Sequence, residues 1–157
     1  MKRLLLTMIA LSLLFSACER KANTPDITTV TNKVLSVLDS KDEFTLADDD
    51  FAENNLMSDD LIDDCKIYIG EGKEIGILKL EKDASQTAAE RSLMEYLTNE
   101  ANSISSLVTL YPSEALTEKL GRYQNATVVQ KGRYICYLIL PEAEAAKVKD
   151  AFLEALA

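Results

Sequence analysis

The 157-residue chain contains no histidine and no tryptophan, and only three cysteines, three prolines and five glycines. Without histidine, the commonest general base and zinc ligand near neutral pH is missing, which excludes Ser-His-Asp, Cys-His and His-zinc mechanisms. Without tryptophan, and with aromatics at 6%, there is little of the flat apolar platform that a sugar site uses. Basic residues are short as well: 17 Lys and Arg stand against 26 Asp and Glu, a net charge of -9. That balance is a poor match for a phosphate-neutralising surface, so no nucleic-acid partner is expected. No Cys-x-x-Cys pair, nucleophile elbow or phosphate-cradling glycine loop occurs. Gly70-Glu71-Gly72-Lys73 lacks the following helix that would supply an anion site, and reads as a hairpin turn.

What is present is the composition of a folded protein. The apolar set is 47% and charged residues are 27%, and the length suits one globular unit rather than two. Residues 1–17 read as a signal peptide: Lys2 and Arg3 form a basic start, residues 4–15 an apolar run of 12, and Ser16-Ala17 a small-residue exit before Cys18. As a helix the run would rise only about 18 Å, too little for a hydrocarbon core of about 30 Å. The exit resembles a bacterial lipobox, with Phe15 where Leu is more usual, which implies that Cys18 is diacylated and becomes the first residue after cleavage. Two acyl chains satisfy the requirement for stable anchoring. Removing Lys2 and Arg3 leaves 15 basic against 26 acidic residues, a charge of -11. That charge repels anionic headgroups, so lipid alone should hold the protein at the bilayer. Residues 18–24 form a lipidated tether, of which residues 19–23 reach about 20 Å at full extension.

Residues 25–157 read as a single α+β domain. Thr24-Pro25 is a helix start, followed by Ile27, Val30, Val34, Val37 and Leu38 at helical spacing. Residues 42–64 hold ten acidic residues and no Lys or Arg, interrupted by apolar anchors such as Phe51, Leu56 and Leu61. This segment reads as short helical turns and loops. A hairpin follows, with strands over residues 65–69 and 74–80. A long helix of about 24 residues then buries Ala89, Leu93, Tyr96, Leu97, Ala101, Ile104 and Val108. Tyr111-Pro112 ends it, and Ser113 caps a short helix that Gly121 is placed to stop. Residues 126–130 and 133–140 form a second hairpin; the second strand is apolar from Tyr134 to Leu140, so both of its faces should be covered. Pro141 opens the last helix, with Ala145, Val148, Phe152, Ala155 and Leu156 inward. The expected core is a four-stranded antiparallel sheet in ββαββα order with helices packed on one face, plus the N-terminal helix.

Several short stretches resemble a family of bacterial lipoproteins, mostly from clostridial relatives, with domain of unknown function 4358. They are the strand Glu74-Ile75-Gly76-Ile77-Leu78-Lys79-Leu80, Arg91 in the long helix, Tyr111-Pro112, and the hairpin from Asn125 to Tyr134. The aspartate-rich stretch and the lipobox also match, although Asn55-Leu56-Met57 stands where the family usually has Gly-Ile. The resemblance spans about residues 27–157 and implies location and fold; the family has no assigned activity. The polar residues at its positions are Glu74, Arg91, Lys131 and Tyr134, candidates for a binding edge. The plainer reading pairs Arg91 with Glu74 in a salt bridge.

The remaining chemistry is sparse. A calcium loop beginning at Asp48 has acids at its first and third positions, but Ala52 at the fifth and Glu53 where the turn glycine belongs. Asp59, Asp60, Asp63 and Asp64 are weak metal candidates that a solvated acidic face explains as well. Cys65 and Cys136 could form a disulfide if their strands are neighbours, or remain separately buried thiols. No catalytic set and no cofactor are expected. The chain therefore reads as a non-enzymatic module on the extracytoplasmic face of the cell membrane, held to the lipid bilayer through Cys18 and binding a protein or other envelope component. The alternatives are a carboxylate-based hydrolase without histidine, or a cation-binding surface protein. A binding module should show an open strand edge or exposed apolar patch; a hydrolase should show a concave pocket with two or more buried carboxylates.

Overall fold

A computed structural model describes residues 24–157. The signal peptide, Cys18 and residues 19–23 of the tether lie outside the described residues. The elements in chain order are α1 (Ile27–Leu35), β1 (Thr45–Leu46), α2 (Phe51–Asn55), β2 (Ile62–Gly70), β3 (Lys73–Leu80), α3 (Gln86–Leu110), α4 (Glu114–Gln124), β4 (Thr127–Lys131), β5 (Tyr134–Ile139) and α5 (Glu142–Ala155), with 3-10 turns at Lys41–Glu43 and Asp59–Leu61. The class is α+β. The five strands lie in the order β1-β2-β3-β5-β4, every pair antiparallel.

Three features differ from the expected ββαββα sheet. The acidic segment supplies a fifth strand: Thr45 and Leu46 pair with Ile69 and Tyr68. Two residues are too few for an alternating pattern to show in sequence. Second, the short helix expected after Ser113 stands beside α3 as α4, so two helices rather than one separate the hairpins in the element order, and α4 is longer than expected. Gly121 does not end α4, which continues to Gln124 and closes on Asn125, whose amide side chain donates to the Gly121 carbonyl at 2.8 Å. The extra turn carries Tyr123 into the core. Third, helices cover both faces of the sheet, giving three layers.

The strand alternation divides the core in two. Leu78, Leu80, Ile135, Tyr137 and Ile67 face α2, α3 and α4, where they meet Ala52, Leu56, Leu93, Tyr96 and Tyr123. Ile75, Ile77, Tyr134, Cys136 and Leu138 face α1 and α5, where they meet Val30, Val34, Val148 and Phe152. β5 is buried at all six positions, as a strand covered on both sides requires. α1 starts at Ile27 rather than Pro25, because Asp26 accepts the Thr29 backbone N–H at 2.9 Å and so acts as its cap. The long helix runs 25 residues from its Ser85 cap and ends before Tyr111-Pro112. Both hairpins close through a glycine in the left-handed region, Gly72 at φ 65° and Gly132 at φ 59°.

Candidate functional site

Glu74 lies on β3, the middle strand, and is 2% exposed. Burying a carboxylate without partners costs several kcal/mol, so its surroundings must supply donors. They come from three elements. Tyr96 on α3 donates to Glu74 Oε2 at 2.9 Å, Tyr123 on α4 donates to the same oxygen at 3.2 Å, and Tyr137 on β5 donates to Oε1. Among the described residues, no cation takes part. Desolvation raises the Glu74 pKa above the usual carboxylate range; the three hydroxyls oppose that rise, and the nearby charge of Glu100 adds to it. The same burial, with the Glu74 charge, pushes the Tyr96 and Tyr137 phenols up.

A glycine makes the cluster possible. Gly76 pairs with Tyr137 across β3 and β5, and a Cβ on Gly76 would sit 1.9 Å from Tyr137 Cε1. The tyrosine ring therefore lies flat over the bare backbone and reaches Glu74, one pleat along on the same face. Tyr96 packs edge-on against Tyr137 and Phe51, with ring centroids 6.4 and 6.5 Å away. Of the phenols, Tyr123 also borders a surface cleft beside Met94, Ala101 and Ala126.

The four polar candidates do not share an edge. Glu74 is under α3 and α4. Arg91 is exposed on α3 and makes no ion pair among the described residues, so the expected Arg91–Glu74 bridge is replaced by the tyrosines. At about 100° per residue, the five positions separating Arg91 from Tyr96 turn it well away from the sheet. Lys131 donates to the Leu153 carbonyl at 3.0 Å, capping the last turn of α5. Tyr134 is buried on the opposite face from Glu74, and its hydroxyl donates to the Pro25 carbonyl at 2.5 Å.

Among the described residues, Cys65 and Cys136 are both free. β3 lies between their strands: Cys65 pairs with Leu78, whereas Cys136 pairs with Ile77. They point to opposite faces and stand two strands apart, about 10 Å, beyond the reach of a disulfide. Burial pushes both thiols up. Among the weak metal candidates, Asp63 is taken by Lys79 at 2.6 Å and Arg133 at 3.0 Å, and Asp60 accepts from the Ser58 hydroxyl. Among the described residues, no group of three or more Cys, Asp or Glu side chains is placed to hold a metal ion.

Among the described residues, the sheet is left open at both sides. β1 covers only the far end of β2; Ala47 donates to the Ile67 carbonyl at 2.8 Å, and the chain then turns away into α2. Among the described residues, β2 is paired with β3 alone along residues 62–66, with a register shift between Ile62 and Asp64. A groove of about 300 Å³ runs there, over Ile62, Cys65 and Ile67 and between Asp48, Asp49, Glu53 and Asp59. At the other side β4 has an outer edge with Val128 exposed.

Of these features, Glu74 and Tyr96 were legible as single residues, Tyr96 as part of the α3 stripe. Tyr123 and Tyr137 were not, since their convergence depends on the length of α4 and the β3–β5 register. The usable signal is Glu74-Ile75-Gly76, where period-2 alternation puts an acid and a bare backbone on one face. No family model matches the chain, and neither a curated protein nor a solved structure does.

Proposed function

We propose that this chain is a membrane-tethered extracytoplasmic module that binds a protein or other envelope component, anchored through an acylated Cys18. The observation that carries the reading is the pair of strand edges left unfilled among the described residues, on a sheet otherwise covered on both faces. Unpaired backbone donors and acceptors along an edge are a template for a partner strand. The single buried carboxylate among the described residues supports the same reading: both oxygens of Glu74 are engaged by hydroxyls beneath two helices, whereas a general acid must come within hydrogen-bond reach of its substrate. The family resemblance supports the location.

The test is capture from intact cells using the lipidated protein beside Cys18→Ala. A partner recovered with the lipidated form, and depleted with the unanchored one, is the expected result. Recovery of no partner with either form contradicts the reading.

A further inference from the structure

We propose that the open edge of β2 at residues 62–66 accepts an extended, Lys- or Arg-bearing segment of a protein partner as an added strand. This rests on the binding-module reading and names its site and the partner's chemistry. Three observations converge. The Ile67 carbonyl points to the β1 side, where it accepts from Ala47. Backbone groups alternate sides along a strand, so the N–H and C=O of Cys65 point the same way, beyond the place where β1 has ended. The free edge spans about 17 Å, with a register shift between Ile62 and Asp64 at its start that leaves Cys65 in the regularly paired part.

The groove beside that edge selects the occupant. Its floor of Ile62, Cys65 and Ile67 is apolar, suited to alternate side chains of an incoming strand. Its rim carries Asp48, Asp49, Glu53, Asp59 and Asp64, all exposed and none in an ion pair among the described residues; Lys66 is the one cation lining it. An added strand would set its alternate cationic side chains against this rim. A second copy of this chain would bring acid against acid, which disfavours edge-to-edge self-pairing. β4 itself, Thr127–Lys131, holds no acidic residue and ends on a lysine, so charge distinguishes the two open edges.

The probe is a short synthetic peptide alternating Lys with Val, titrated into the full-length protein, with hydrogen exchange read at the β2 amides. Slowed exchange at Cys65 is expected, with binding that weakens as salt is raised. N-methylating the peptide's backbone, which keeps its charge and removes its donors, should weaken binding at least about tenfold, the worth of roughly one lost hydrogen bond. Asp49→Asn with Glu53→Gln, both on exposed side chains, should weaken it to a similar degree. Cys65→Pro removes the outward donor and should act like N-methylation; the rim variant keeps the test sound if that proline disturbs folding. Equal binding by the N-methylated peptide, equal binding by the rim variant, protection confined to β4, or self-association alone would each overturn the proposal. If cells yield a partner that the rim variant still retains in full, this site is wrong while the binding-module reading stands. If the peptide adds to β2 but cells yield no partner, that reading fails instead.

Discussion

Ionising Glu74 places a negative charge in a desolvated site among three phenols; desolvation raises its pKa, and the three hydroxyls offset only part of that rise. A group whose folded pKa lies above its unfolded value, here 4.5, contributes stability that is fully present below that value and is lost as pH rises through the folded one. The difference in Tm between the wild type and Glu74→Gln should therefore shrink or reverse as pH climbs from about 4 to 8, because the variant lacks this titration. Asp63 has the opposite sign. Lys79 and Arg133 hold its pKa down, so its contribution is present above 3.8 and lost as pH falls. It is partly exposed, and Asp63→Asn should cost at most about 1 kcal/mol in urea unfolding at neutral pH. Gly76→Ala is the severe change: the new methyl would meet the Tyr137 ring, which is fully buried between β3 and Tyr96 and has nowhere to go. A loss of about 3 kcal/mol is expected from urea unfolding, typical of an overpacked core.

Between elements, β3 decides what meets what. It separates Cys65 from Cys136 and assigns them to different layers, so reductant should leave the Tm unchanged. Maleimide mass labelling should modify half-buried Cys65 in the native protein, and buried Cys136 only on unfolding. The same strand shows how much was legible beforehand. Both hairpins, the 25-residue helix and the final helix follow from period and punctuation, because glycine turns and Pro112 and Pro141 act locally. Gly121 misled for a tertiary reason: a glycine within a helix costs only about 1 kcal/mol, and continuing α4 carries Tyr123 to Glu74 and Arg122 to the Gly72 carbonyl. Strand neighbours, the β1 pairing and the second helical layer depend on contacts between residues far apart in the chain, which no local pattern encodes. For that reason Glu74 read as an edge residue although it sits on the middle strand.

For the molecule as a whole, the acidic excess is concentrated where the sheet is unfinished. Thr24 to Asp26 enter the fold beside Tyr134, at the end of the sheet where Ile62 pairs with Leu80 and Lys79 with Tyr134. The β2–β3 turn at Gly72 points the other way. If Cys18 is the anchor, as proposed, a tether reaching at most about 20 Å would bring the half of β2 that carries the groove nearer the membrane than the Gly72 turn. A partner segment would then be met close to the bilayer. The most direct test replaces Asp59, on the groove rim, with a photo-crosslinking residue in the lipidated protein, and Arg91, exposed on α3, in a parallel sample. Irradiation of intact cells should give a discrete protein adduct from position 59 and none from position 91. Identical adducts from both positions, or none from position 59, would contradict the account.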